Sequence, residues 1–371
     1  MLIIKATRDA ILRPLQMVAG IVERRHTLPI LANVLLSRKG DRVSFLATDI
    51  EIQIETSAAI GAGGEDVAIT VNTRKLIDIL KSLPDTEVSI SLASRKLTIA
   101  AGKSRFALQT LGPDEFPTVA ANDSPTVSLT LPQKQLRHLF AMVHFAMAQQ
   151  DIRYYLNGLL FVVDGQTLRA VATDGHRLAY CAAEVEAPVT HAGTRVDVII
   201  PRKTVTELQR LLADSDDPLQ IDIAGNQIRF RFGELELLSK LVEGKFPDYQ
   251  RVIPTGYSKS FEISREAWAG SLTRASILTS EKFKGVRFSL TPGSLKIQTS
   301  NAEQEEATEE LDLDYSGEPL EVGFNVTYLL DALSNLKTET VRAEFGDSNS
   351  SALLCVPGDD SFKYVVMPMR I

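Results

Sequence analysis

Residues 171–178 read VATDGHRL, an aspartate and a histidine separated by one glycine after a strand-like run. Asp174 and His176 are spaced to act as the acid and base of an active site, and they fit a strand that ends in a tight turn equally well. Other candidates for chemistry fail on spacing. The glycine-rich IGAGGED at 60–66 lacks the GK[ST] of a phosphate-binding loop and reads as a hairpin turn. His138 and His144 stand six apart on a helical pattern, about 120° from each other, which is wrong for holding one metal ion. The chain contains neither GxSxG nor HExxH, and Cys181 and Cys355 lie 174 positions apart with no CxxC. The residues therefore call for no metal and no cofactor, and they favour a protein that is not an enzyme.

The elements around this stretch occur three times. A strand and an amphipathic helix begin at Leu2 (LIIKATRDAILRPLQMVAGIVE), at Val127 (VSLTLPQKQLRHLFAMVHFAMA) and at Ser260 (SFEISREAWAGSLTRASIL). Strands follow, then a second strand and helix (VAITVNTRKLIDILKSL, VDVIIPRKTVTELQRLL, LEVGFNVTYLLDALSNL), then further strands. Thr48, Thr173 and Thr299 hold equivalent places, 125 and 126 residues apart. The turns that follow are TDIE in the first copy and TSNA in the third. The aspartate recurs as a turn former where no histidine accompanies it, which argues against an acid–base pair.

A period this long makes each copy a domain with its own core rather than a stacking unit. The expected divisions are 1–125, 126–256 and 257–371, with turn-rich linkers at residues 122–125 and 254–256. Each domain reads as two helices on mainly antiparallel strands, an α+β arrangement. The N-terminal MLIIKATRDA lacks the apolar run of a signal peptide, and no stretch approaches the roughly 20 apolar residues needed to span a bilayer, so a cytoplasmic protein is expected.

The net charge of −7 argues on its own against nucleic acid as a partner, but the charge is segregated. The six helical stretches hold 16 Lys and Arg against 7 Asp and Glu, leaving −16 for the remainder. Apolar stripes (Leu136, Leu139, Phe140, Val143, Met147; Val205, Leu208, Leu212; Leu76, Ile79, Leu80, Leu83) place Lys134 and Arg137, Lys203 and Arg210, and Arg74 and Lys81 on the opposite faces. One such face is ordinarily just solvated. Recurrence over several helices of an acidic chain points to a shared anionic partner gripped through phosphates. The third copy's helices are nearly neutral, so the basic surface is expected to be uneven.

HTLPILANVLL (26–36), QQDIRYYLNGLLF (149–161), VATDGHRLA (171–179), IIPRKTV (199–205), SKLVEGKFPDYQRVIP (239–254), EKFKGVRF (281–288), GFNVTYLLDAL (323–333) and YVVMPMRI (364–371) together resemble the bacterial sliding clamp, the β subunit of DNA polymerase III. The resemblance covers the whole chain in order. It implies a ring of two crescents joined head to tail, with helices lining the hole and sheets outside. Such a homodimer encircles double-stranded DNA without reading sequence and confers processivity. It is loaded by an ATP-dependent clamp loader. The replicative polymerase, the loader and repair proteins dock on it through a short linear motif. A monomeric peptide-binding scaffold that never encircles DNA is the alternative.

The same resemblance assigns residues. Nearest DNA would be Arg25, Arg74, Gln150, Arg153, Tyr154 and Tyr155. The partner-peptide cleft would comprise Leu156, Thr173, Gly175, His176, Arg177, Leu178, Pro247, Arg251, Val252, Asn325, Tyr328, Ser351, Val365, Val366, Met367, Pro368, Met369 and Arg370, in a chain ending with Ile371 where leucine is common. Methionines suit a surface that accepts several partners. At the dimer boundary, Lys75, Lys96, Lys103 and Arg105 would meet Glu303, Glu305 and Glu306, around an apolar centre of Phe106, Leu108, Ile277 and Leu278. Without any family knowledge, the basic RKLTIAAGKSRFALQTL of the first copy and the acidic NAEQEEATEELDLDY of the third are already complementary in sign.

Overall fold

Runs that alternate apolar and polar residues form strands, runs with apolar residues three and four apart form helices, and the same ten elements appear in the same order three times. The computed structural model describes residues 1–22, 28–186, 195–280, 282 and 284–370. The first copy holds β1 (Leu2–Thr7), α1 (Arg8–Val18), β2 (Asn33–Lys39), β3 (Arg42–Thr48), β4 (Ile52–Ala58), β5 (Val67–Asn72), α2 (Thr73–Ser82), β6 (Glu87–Ala93), β7 (Lys96–Ala101) and β8 (Ser104–Leu111). The second holds β9 (Val127–Pro132), α3 (Gln133–Ala141), β10 (Gly158–Asp164), β11 (Thr167–Thr173), β12 (Arg177–Glu184), β13 (Val196–Pro201), α4 (Arg202–Leu211), β14 (Pro218–Ala224), β15 (Gln227–Phe232) and β16 (Leu235–Lys240). The third holds β17 (Lys259–Ser264), α5 (Arg265–Ser276), β18 (Gly285–Thr291), β19 (Ser294–Ser300), β20 (Glu306–Asp312), β21 (Leu320–Asn325), α6 (Val326–Asn335), β22 (Thr340–Phe345), β23 (Ala352–Val356) and β24 (Asp359–Val366).

Chain packing does not follow the repeats. Met1–Lys134 with Thr206–Leu241 forms one compact unit, while the second gathers Gln135–Glu186, β13 and what is described from Val242 onward. In the first unit β5-β2-β3-β4 continues into β16-β15-β14-β9, joined by β4 and β16 from Ile52↔Ser239 to Thr56↔Leu235. In the second, β13-β10-β11-β12 continues into β24-β23-β22-β17, joined by β12 and β24 from Arg177↔Val366 to Cys181↔Phe362. Both joints are antiparallel, and both link the fourth strand of one copy to the last strand of the next. A separate four-stranded sheet, β20-β19-β18-β21, leaves β20 with one side unpaired among the described residues.

A second contact also recurs. The fourth residue of β5, β13 or β21 pairs with a residue just at or beyond the last strand of its own copy: Thr70↔Leu111, Ile199↔Val242 and Gly323↔Met369. In the third copy that place is taken by Met369.

Helices are bounded by side chains suited to the purpose. Asn72, Ser264 and Asn325 accept backbone N–H groups at the starts of α2, α5 and α6, from Lys75 (3.0 Å), Ala267 (3.4 Å) and Thr327 (2.9 Å). In α2 the buried set is Leu76, Ile77 and Leu80, so Ile77 takes the place expected for Ile79. The helix expected to carry the stripe from Leu136 to Met147 stops at Ala141, because Met142 and Val143 close it with bonds back to His138 and Phe140; Val143 and Met147 are still buried, beyond its end. Lys134 and Arg210, expected to face outward, are engaged within the chain. Lys134 lies 2.7 Å from Asp216, and Arg210 bonds Glu207 (2.7 Å) and the carbonyls of Gln16 and Met17 at the end of α1. Among the described residues no helix is long and apolar enough to cross a membrane.

Cores are largely apolar in both units, with a cluster of rings in the second, where Trp268 contacts Phe261 and Phe288 at 6.0 and 6.1 Å between ring centres. Arg38 is the exception. Its side chain is wholly buried on the inward face of β2 and donates to the carbonyls of Leu2 (2.6 Å) and Glu65, tying β1 and the loop before β5 to the sheet. Replacing a buried charge by an apolar group is neutral only when its partners also vanish; here the carbonyls of Leu2 and Glu65 would lose their donor. Arg38→Met is therefore expected to destabilise the protein by about 2–4 kcal/mol, read as a lower urea midpoint, whereas Lys39→Met on the exposed neighbour should change it by less than ~0.5 kcal/mol.

Candidate functional site: the Thr173–Arg177 turn

The turn in VATDGHRL is built from its own side chains. The Thr173 hydroxyl donates to the Arg177 carbonyl (2.6 Å) and accepts from Gly175 N–H (3.1 Å); Asp174 Oδ1 accepts the N–H groups of His176 (2.9 Å) and Arg177 (3.1 Å). The first copy makes the same turn. Thr48 donates to the Ile52 carbonyl (2.9 Å) and accepts from Ile50 (3.0 Å), while Asp49 accepts from Glu51 (3.0 Å) and Ile52 (2.8 Å). The third residue has positive φ in both, +90° at Gly175 and +81° at Ile50; only the glycine adopts it without strain. In the third copy Asn301 takes over, accepting from Glu303 and Glu305. Asp174 is thus a turn former, and its bond to position 176 goes to the backbone. Its other oxygen accepts from Arg177. The thiol of Cys181, pushed up to about 12 by burial, is no nucleophile either.

Arg177 organises what the second copy adds. Only 9% of its side chain is exposed. Nε donates to Asp174 (3.0 Å), Nη1 to Asp331 (2.5 Å) and Nη2 to the Phe145 carbonyl (2.8 Å), and the guanidinium stacks 4.4 Å from the Tyr328 ring centre. Burial works against its charge, but Tyr364, Asp331 and Asp174 more than offset that, and its pKa lies above the ordinary value. Arg177 therefore braces the turn from inside, with three of its five N–H donors spent on the protein. Burial raises the Tyr364 phenol, whose hydroxyl donates to the Tyr328 carbonyl (2.8 Å).

Among the expected cleft residues, Leu156, Leu178 and Val365 meet in one buried apolar cluster with Phe246, Tyr249 and Leu353. Leu178 stands opposite both Thr173 and Val365 in the sheet, and Val366 and Thr173 are buried beside them. The exposed group is Gly175, His176, Pro247, Arg251, Val252 (44%), Met367 (49%) and Arg370. Pro368, Met369, Tyr328 and Ser351 are half-buried, Ser351 accepting from the Tyr257 hydroxyl (2.8 Å). Asn325 spends its side chain on the α6 cap, and Ile371 lies outside the described residues. The tail is fixed at two points, Met367 N–H to the His176 carbonyl and Met369 N–H to the Gly323 carbonyl, both 2.9 Å. Pro247 alone of the expected set also lines a separate cavity of about 330 Å³, with Leu160, Arg195, Ile199 and Tyr249.

Comparing the two sheet joints shows why one of them is a cleft. In the first unit Lys240 N–H bonds the Glu51 carbonyl (2.9 Å), the equivalent of Met367 to His176, and the Lys240 and Glu51 side chains pair at 3.3 Å. Ile52 stands where Arg177 does, and Ser239 where Val366 does. That joint is covered by an ion pair; the other presents an apolar methionine over an apolar floor.

The residues expected near DNA separate in the structure. Arg25 lies outside the described residues. Arg74 is exposed, 3.7 Å from Asp78 one turn on. Gln150 is exposed with φ +54°, and Tyr154 is 57% exposed, whereas Tyr155 packs on the apolar cluster. Arg153 is held by Asp151. Of the expected boundary residues, Lys75, Lys96, Lys103, Arg105, Glu303, Glu305 and Glu306 are exposed, as is Ile277 (74%), and Phe106, Leu108 and Leu278 are half-buried.

Sequence reasoning missed Asp331 and Phe145, which hold Arg177. The one signal was Asp331 itself, the only charge in the α6 sequence VTYLLDALSN. A lone carboxylate in an apolar helix needs a buried cation as its partner.

Residues 2–120, 130–248 and 250–370 match, in order, the families described as DNA polymerase III beta subunit, N-terminal, central and C-terminal domain. The beta sliding clamp of Pseudomonas putida is 49% identical over 365 residues, 98% of each chain. The crystal structure of the DNA polymerase III subunit beta from Pseudomonas aeruginosa superposes with a TM-score of 0.95 at 47% identity over the whole of both chains. So does that of the sliding clamp from the same organism bound to griselimycin. Matched in all three domains and along its whole length, the chain belongs to the beta sliding clamp family, the beta subunits of DNA polymerase III, which are processivity factors and not enzymes.

Proposed function

We propose that two copies of this chain close head to tail into a ring around duplex DNA and tether the replicative polymerase to it. The observation that carries this is the strand count. β4 and β12 each pair with the last strand of the following copy, whereas among the described residues β20 has one side unpaired and β8, the last strand of the first copy, is paired on its second side only at Thr110 and Leu111. One edge is acidic (EATEELD) and the other carries Arg105 with Lys96 and Lys103 close in sequence. An antiparallel β20–β8 joint between copies, repeated by symmetry, satisfies both edges and closes the ring. Phe106, Leu108, Ile277 and Leu278 supply its apolar centre, and Lys75, Lys96, Lys103 and Arg105 face Glu303, Glu305 and Glu306 across it. The domains divide at 1–125, 126–256 and 257–371, and the protein works in the cytoplasm.

Within the ring Arg25, Arg74, Gln150, Arg153 and Tyr154 approach the phosphates, and Tyr155 supports their loop from the core. Phosphate contacts of this kind position without reading sequence and exchange readily, which suits sliding. The cleft between the Thr173–Arg177 turn, residues 247–252, Asn325, Tyr328, Ser351 and the tail from Val365 to Arg370 receives a short motif from the polymerase, the ATP-dependent loader and other partners. That the Pseudomonas aeruginosa clamp binds griselimycin supports a ligand site on clamps of this fold, which this reading assigns to the same cleft.

Once loaded, the protein should stay on closed circular DNA through a high-salt wash and run off after one cut; equal loss from circle and linear DNA would defeat encirclement. Deleting residues 367–371 removes the exposed methionine and both tail anchors but no strand. The shortened protein is expected to lose griselimycin binding by at least ~100-fold, in line with loss of a central anchor, while sedimenting at twice the 40.7 kDa chain mass. A single-chain mass would make the tail part of the dimer contact instead.

A further inference from the structure

One side chain joins the 150–155 loop to the turn that opens the cleft. Arg153 donates to both oxygens of Asp151, from Nε (3.0 Å) and Nη2 (2.8 Å), and Nη2 also donates to the Asp174 carbonyl (3.2 Å). A Cβ on Gly175 would lie 2.9 Å from both terminal nitrogens, so the guanidinium packs directly against the turn. Beyond it, the Asp174 carboxylate holds Arg177, and Arg177 holds Asp331 and the Phe145 carbonyl. Asp151 is itself fixed, its backbone N–H and carbonyl both bonded to the Asn157 side chain at 2.9 Å. Its carboxyl is held down to about 2, chiefly by the hydrogen bond from Arg153. Nearly half of the Arg153 side chain, 46%, nevertheless remains exposed, beside the exposed Gln150, Ile152 and Tyr154.

We propose that Arg153 is a positioning residue of the cleft for which a duplex phosphate competes, so that DNA bound at the 150–155 loop weakens ligand binding at the Thr173–Arg177 turn. This rests on the assignment of that loop to DNA and of that turn to the ligand. A phosphate brought to Arg153 places a second anion beside Asp151 and draws the guanidinium off the Asp174 carbonyl and Gly175. The turn that anchors the tail through the His176 carbonyl then loses its outer support. Linkage requires the reverse as well: a ligand that tightens the turn holds Arg153 back from phosphate.

The test is titration of the full-length protein with griselimycin at low salt, with and without a saturating short blunt duplex whose own binding is followed by anisotropy. The griselimycin Kd is expected to rise about fivefold with duplex, the lower end of ordinary coupling between sites. Arg153→Gln should bind griselimycin about fivefold more weakly without DNA and no longer respond to duplex. Asp151→Asn, which spares the arginine, should weaken griselimycin in the same direction while tightening the duplex, an effect that mere loosening of the loop would not produce. An unaltered protein that binds both ligands with no mutual effect, or an Arg153→Gln variant with undiminished griselimycin affinity, overturns the proposal alone. A protein that binds griselimycin but no duplex overturns the DNA assignment, and the proposal with it.

Discussion

An antiparallel sheet cannot simply stop: the last strand leaves a row of N–H and C=O groups that must find partners or water. In this chain that constraint decides which segments belong together. The second repeat is divided between two compact units because its last strand, β16, closes the edge of β4, while its own fourth strand, β12, is closed by β24 from the third. Covalent order and packing order are thus offset by half a repeat. Among the described residues that offset leaves β20 unpaired on one side and β8 paired on its second side only at Thr110 and Leu111, and their opposite charges make a second copy the natural complement.

The cleft is a variation on one of these joints. Both joints inherit the threonine–aspartate turn and the backbone bond from the last strand to the turn's carbonyl. What differs is side-chain chemistry at three equivalent places: Ile52, Glu51 and Lys240 in the first, Arg177, His176 and Met367 in the second. A buried arginine with three acceptors braces the second turn, and Met367 stands exposed just beyond the strand that carries Val365 into the cluster with Leu156 and Leu178. A pre-formed apolar floor with an adaptable rim suits several partners sharing one short motif.

The repeats, the helices and the turn role of Asp174 were legible from residue periodicity, because local hydrogen bonding and amphipathic spacing leave their marks within a few positions. Long-range pairing left none. Nothing near Arg177 in sequence announces Asp331, 154 positions later, and nothing in the basic faces of the helices shows that Lys134 and Arg210 are engaged by Asp216 and by the carbonyls of Gln16 and Met17. Helical spacing also carried α3 past its true end, since Val143 and Met147 are buried by the tertiary structure after the helix has stopped. The sign complementarity of the two segments was visible in composition, but that β20 is a sheet edge among the described residues, and that β8 meets β5 only at Thr110 and Leu111, emerged only from the strand pairing.

Amide hydrogen exchange on the intact protein tests the closure of those edges most directly. At concentrations where the mass is that of two chains, the outward-facing amides of β8 and β20 should exchange as slowly as those of the internal β4–β16 joint, and should become fast on dilution to single chains. Rapid exchange in both strands while the mass remains that of two chains would contradict a ring closed through β8 and β20.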